Sequence, residues 1–162
     1  LTAAPTGKLG QIQSLEDWRL GDLQKFGFDF SHSFPEIQPT TFKDLPSLKN
    51  PKQFCTYKDG ILFTCDVPKG TVLKAFLALT NYQFKKIIFV DDLRHNLESV
   101  EKVCEETGVA CHNFEYTAVQ ASSAPLNKKR AEAQINALLE KGEWLTDAQA
   151  DKHYKDAGTN PQ

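Results

Sequence analysis

Residues 86–92, Lys-Ile-Ile-Phe-Val-Asp-Asp, constrain this chain more than any other stretch. Four consecutive apolar residues, three of them β-branched, describe a strand buried on both faces, as in a parallel sheet, and two carboxylates follow at its carboxyl end. Open α/β sheets place their chemistry at that edge. Asp91 and Asp92 repel one another unless a cation stands between them, and hard oxygen ligands of this kind suit Mg²⁺. The competing reading is that the two acids only open the following helix, where capping and the helix dipole favour carboxylates.

The flanking segments supply the rest of an α/β pattern. Leu15, Trp18, Leu23 and Phe26 predict a helix over 14–26, stopped by Gly27. Residues 28–52 carry four prolines among five aromatic or leucine anchors and read as an irregular excursion that packs rather than a linker. Residues 53–57 and 61–65 alternate around Lys58-Asp59-Gly60, a strong hairpin signal. Helices are predicted over 70–79, 96–107 and 126–141, with a strand over 109–114 between the last two. Thr146 and Gln149 form a capping-box pattern for a final short helix, and Gly158–Gln162 should fray. A strand and helix rhythm of this kind implies parallel pairing through right-handed crossovers.

At 162 residues the chain is long enough for one domain with a real core. A formal charge of -2 leaves no basic excess to attract nucleic acid. No apolar run approaches a membrane span. The chain reads as soluble, but a start at Leu1 and the absence of any Met make it look like a piece, which leaves export open. The four histidines and four cysteines lack zinc spacing. Cys104 and Cys111 read as core residues. Cys55 and Cys65 flank the hairpin, whose two-residue turn would put them on opposite faces.

Thr2 in Leu1-Thr2-Ala3, Lys69 in Pro68-Lys69-Gly70, and Ile87 through Asn96 occur in an order that resembles the second, third and fourth motifs of the haloacid dehalogenase-like (HAD) superfamily of phosphohydrolases. Together with Lys-Asp-Gly-Ile-Leu-Phe-Thr and Trp144-Leu145, they are similar to a HAD-like family of unassigned activity found in intracellular bacterial pathogens. The resemblance implies a Rossmann-like parallel sheet in a single domain over 1–162, with residues 28–68 as a small cap-like excursion containing the hairpin and with helices at the carboxyl end. It also implies Mg²⁺-dependent phosphoryl transfer through an aspartyl-phosphate, on a phosphorylated small molecule or phosphoprotein.

On that resemblance, Thr2 would donate a hydrogen bond to a phosphoryl oxygen and Lys69 would neutralise its charge. Asp92 would bind Mg²⁺ directly and Asp91 through water, while Asn96 would hold a metal-bound water or orient Asp92. The rival role for Asn96 is helix N-cap, and for Lys69 a solvated lysine before a helix. Arg94 and His95 receive no role. The first motif, Asp-x-Asp, which supplies the nucleophile, is absent from this sequence. The chain therefore looks like the part carboxyl-terminal to that motif, expected to be inactive alone and to need a further segment or a second chain to complete its sheet. A second reading makes it a HAD-like binding module without catalysis. A receiver-like phosphoacceptor domain would place its acidic pair early and its lysine last, the reverse of the order here.

Overall fold

The computed structural model describes residues 1–118 and 125–157; the expected fraying of 158–162 lies outside them. Two strands, β4 (Lys86–Asp91) and β5 (Ala110–Glu115), pair in parallel from Lys86↔Ala110 to Asp91↔Glu115. The crossover between them is α3 (Arg94–Thr107), and α2 (Lys69–Thr80) precedes β4. The helix predicted over 96–107 forms, and Leu97, Val100 and Cys104 of α3 are buried with Phe89 of β4 and Leu73 of α2 in one cluster. Gly108 ends α3 in the left-handed region at φ 71°, its N–H donating to the carbonyls of Cys104 and Glu105.

The hairpin also forms where it was expected. β2 (Phe54–Lys58) and β3 (Ile61–Phe63) pair antiparallel around Asp59 and Gly60, both at positive φ as a two-residue hairpin turn requires. A third strand, β1 (Thr40–Pro46), pairs with the outer edge of β2 inside the segment read as irregular. Its two bounding prolines, Pro39 and Pro46, hid it, since proline in a sheet is confined to edges and bulges, and the register shifts between Thr41 and Pro46. The rest of the excursion is pinned by aromatics, as expected: the buried Tyr57 hydroxyl donates to the Ser33 carbonyl at 2.7 Å, and the Phe34 and Phe76 rings meet edge-on at 5.1 Å.

α1 (Leu15–Lys25), α4 (Lys128–Lys141) and α5 (Asp147–Ala157) complete the element order. Leu15 of α1, Leu138 of α4 and Ile12 form a separate core cluster. The capping box is present: Gln149 Oε1 accepts from Thr146 N at 2.8 Å, and Gln149 N donates to Thr146 Oγ1 at 3.3 Å. In α1 the expected apolar face is only partly used, because Phe26 is 75% exposed.

The fold is mixed α/β, but its strands do not join into the single parallel sheet expected from the sequence; they form a three-stranded antiparallel sheet and a two-stranded parallel one. Thr2 extends the first: its N–H donates to Leu62 O at 2.9 Å and its carbonyl accepts from Thr64 N at 2.8 Å, a parallel bridge to Phe63. Because Thr2 turns both groups toward β3, Leu1 and Ala3 turn theirs away. On the other side, Lys85 O and Asp91 O accept from the β5 strand and its end, so by alternation Ile88 and Val90 aim their N–H and C=O groups at the free edge of β4. An apolar slot of about 210 Å³ is lined by Leu1, Leu62, Leu73, Phe76 and Ile87, so residues of β3, α2 and β4 all reach it. The strand read as buried on both faces is covered on one only: Phe89 is buried, while Ile88 and Val90 are 66% and 56% exposed.

α2 and α3 approach closely at Gly70, where a Cβ would stand 1.9 Å from the Ser99 carbonyl oxygen. Gly70→Ala should therefore destabilise the chain by about 1–3 kcal/mol through overpacking, measured by urea denaturation.

Candidate functional site

The site is built where the amino end of α2 meets the carboxyl end of β4. Pro68 leads into α2 without a side-chain cap, and the N–H of Gly70 is satisfied across the interface by Ser99 Oγ at 3.0 Å. This anchors the first turn of α2 against α3 and directs Lys69 toward the sheet. Lys69 is 9% exposed and its ammonium pairs with Asp91 Oδ2. The same Nζ lies 5.7 Å from the centroid of the Phe89 ring. Lys69 is thus a buried, paired cation rather than a solvated lysine.

Asp91, 7% exposed, has both oxygens engaged. Besides Lys69 on Oδ2, Oδ1 accepts from Asn96 Nδ2 at 2.8 Å and from Leu93 N at 3.0 Å. Burial pushes the Asp91 carboxyl up, but the hydrogen bonds from Lys69, Asn96 and Leu93 outweigh it and hold it below the ordinary carboxylate range. Asn96 is buried within α3, whose N-cap is Leu93, so its amide orients Asp91 instead of capping the helix.

Asp92, the next residue, is exposed, with no hydrogen bond or ion pair among the described residues. Strand alternation sends it to the side opposite Asp91. Arg94 pairs with Glu98 at 3.4 Å and Glu115 at 3.5 Å, both on the surface. Thr2 Oγ1 accepts from Ala4 N at 3.3 Å, a local turn, and is not brought into contact with Lys69. The structure therefore joins Lys69, Asp91 and Asn96 and leaves Thr2 and Asp92 on the periphery.

Beside this cluster opens a cavity of about 510 Å³ whose walls include Lys69, His95, Asn96, Ser99 and Lys49. Lys49 arrives from the loop between β1 and β2, which Asp66 clamps by accepting from Leu48 N and Lys49 N, each at 2.7 Å. Part of the excursion thus walls the cavity. Ser99 and Asp66 escaped sequence reading because their partners are distant in the chain and no local spacing marks them. Among the described residues, no group of three or more His, Cys, Asp or Glu side chains converges as a metal cluster. No helix among them is long and apolar enough to cross a membrane.

Residues 1–151 match the family described as Protein of unknown function (DUF2608). The chain belongs to that family. It is 28% identical over 147 residues to "Uncharacterized protein RP296" of Rickettsia prowazekii (strain Madrid E), covering 91% of this chain and 52% of that relative. A Chlamydia pneumoniae protein named "Putative outer membrane protein" is 30% identical over 124 residues, covering 76% of this chain and 44% of the relative. A second Rickettsia prowazekii protein, RP295, is 33% identical over 97 residues, or 59% of this chain and 32% of its own length. The chain thus spans about a third to a half of the length of the curated relatives it matches. No solved structure matches it. This bacterial family is consistent with the resemblance to proteins of intracellular pathogens.

Lys69→Met should cost about 3 kcal/mol at neutral pH, since it strands the buried Asp91 carboxylate without its cation. Because the folded carboxyl sits below its ordinary value, its contribution is complete above the ordinary range and is lost as pH falls through the lowered value. Urea denaturation across pH should show the difference between wild type and variant shrinking toward acid.

Proposed function

We propose that this DUF2608 chain is the carboxyl-terminal portion of a HAD-like, Mg²⁺-dependent phosphohydrolase that acts through an aspartyl-phosphate. The observation that carries the reading is the buried Lys69–Asp91 pair at the carboxyl end of β4, beside a cavity open to a ligand. A lysine held rigid there by a carboxylate and an aromatic ring supplies a fixed positive charge for a phosphoryl oxygen. Asn96 and the Leu93 N–H fix the carboxylate that fixes the lysine. His95 and Lys49 on the cavity wall suit a phosphorylated small molecule or phosphoprotein.

Mg²⁺ typically takes one or two carboxylates and completes its shell with water and substrate phosphate. Asp92 has a carboxylate available for this, whereas Asp91 would have to release a hydrogen bond, so Asp92 would hold the ion by swinging its side chain from the periphery toward the cavity. The ion would supply charge neutralisation at the phosphate. The nucleophile would come from an apolar strand, part of the same longer protein or of a second chain, that fills the slot between Leu1 and β4 and turns the two sheets into one Rossmann-like sheet. Backbone groups of Thr2's neighbours and of β4 that have no strand partner among the described residues, and an apolar slot lined from both sides, favour a parallel strand there. The binding-module reading draws on one observation, the full engagement of Asp91 within the chain, which makes the pair a structural clamp.

The test is turnover of p-nitrophenyl phosphate with Mg²⁺. The 162-residue chain alone should be inactive, whereas a longer family member containing this segment should hydrolyse the ester. In that longer protein the change equivalent to Asp92→Ala should remove nearly all turnover and leave the melting temperature unchanged. Absence of turnover in the longer protein, with the fold intact, would favour the binding module.

A further inference from the structure

A second cavity, of about 490 Å³, is walled by α1, the segment before it and the turn after α4, and shares with the cavity beside Lys69 only the wall residue Pro5. Trp18 and Trp144, the two tryptophans of the chain, both line it, with the buried Leu15 and Leu138 among its walls. Polar contacts pin its rim. The amino-terminal wall is held to α1 by Leu15 N donating to Gly7 O and by Gly7 N donating to Glu16 Oε2, each at 2.9 Å. On the other side Gly142 N donates to Leu138 O at 3.0 Å, and the buried Gln134 amide donates to Leu145 O at 3.0 Å. These bonds fix the backbone on both flanks of Trp144, yet its side chain leaves the residue 54% exposed. A pinned backbone that presents a large, half-uncovered aromatic ring to an apolar cavity has the makeup of a preformed ligand site.

Arg19 gives the cavity a chemical polarity. Its guanidinium carbon lies 5.4 Å from the centroid of the Trp18 ring. That guanidinium makes no hydrogen bond among the described residues: its ion pair with Asp22 Oδ2 spans 3.7 Å, beyond hydrogen-bond length. Asp22 is moreover shared, its Oδ1 lying 3.7 Å from Lys25 Nζ. Two cations thus draw on one carboxylate, which leaves an excess of positive charge at the edge of an otherwise apolar cavity.

We propose that this cavity binds a small planar aromatic carboxylate, its ring against the Trp144 indole and its carboxylate on the Arg19 guanidinium. A flat ring stacks on an indole, and the planar fork of arginine matches a carboxylate with two parallel hydrogen bonds. An aromatic cation would meet the opposite field, since the carboxylate it needs, Asp22, already serves Arg19 and Lys25. A sugar would leave most of its hydroxyls unpaired against Leu9, Leu15 and Leu138. The site shares no charged residue with the Lys69–Asp91 pair and does not depend on the phosphohydrolase reading.

The experiment titrates the isotope-labelled 162-residue chain with 2-naphthoate and follows by NMR its two tryptophan indole N–H signals, both of which belong to the cavity wall. Both signals should move along one saturating curve. Neutral 2-naphthamide, of the same shape, should bind about tenfold more weakly, because it lacks the charge-assisted bonds. Arg19→Gln should erase that preference and leave naphthamide binding unchanged, while Trp144→Ala should weaken both probes alike, read at the Trp18 signal. Should Arg19→Gln lose the dispersed spectrum of the folded chain, Arg19→Lys serves, since it keeps the charge without the fork and should weaken naphthoate binding alone. Absence of a saturating shift at millimolar naphthoate, equal affinity for the two probes, or a preference that survives Arg19→Gln in the folded chain overturns the proposal.

Discussion

The contact between Lys69 and Asp91 ties together every part of the chain that bears on chemistry. It joins the first residue of α2 to the last of β4. A cation and an anion removed from water must satisfy one another, and the remaining lone pairs need partners too, or the desolvation cost is not offset. Asn96 and the Leu93 N–H meet that requirement on the carboxylate, while the Phe89 ring lies against the ammonium. The start of α3, the end of β4 and the start of α2 are consequently fixed by one network. The close approach of Gly70 to Ser99 follows from it, because only a residue without a side chain lets α2 bring Lys69 this near to the sheet.

The same strand that ends in this network has an unfinished environment. Ile88 and Val90 carry the composition of a fully buried strand, yet one face of β4 is exposed and one edge has no partner strand among the described residues. Val90 stands beside Phe114 of β5 in the parallel register, so the exposed face is continuous across both strands. Thr2 presents the complementary situation, pairing with β3 on one side and leaving the backbone of Leu1 and Ala3 unused on the other. A strand placed between them would bury the apolar slot, pair both edges and bring a new side chain beside Lys69. The greater length of the curated relatives accommodates such a segment.

Local signals made much of the fold legible. Helix periodicity placed α2, α3 and α4 within a few residues, Asp59-Gly60 fixed the hairpin, and Thr146 with Gln149 announced α5. Three features required tertiary information. β1 was masked by its bounding prolines, because a strand paired on one edge tolerates what a central strand does not. Within the site, the grouping of Lys69 with Asp91 and Asn96 followed from motif order, but the preference of Lys69 for Asp91 over Asp92 depends on the pleat of β4. The left-handed turn at Cys65 is the third, since backbone handedness at a non-glycine residue leaves no mark in composition.

Amide hydrogen exchange at Ile88 and Val90 tests the central claim most directly, because these N–H groups face the open edge of β4. In the 162-residue chain they should exchange rapidly, while those of Ile87 and Phe89, directed at β5, are protected. In a longer family member the equivalent residues should become as protected as their neighbours, as a strand in the slot requires. Rapid exchange at both positions in the longer protein would contradict the account and leave Lys69 and Asp91 as a clamp within a sheet that ends at β4.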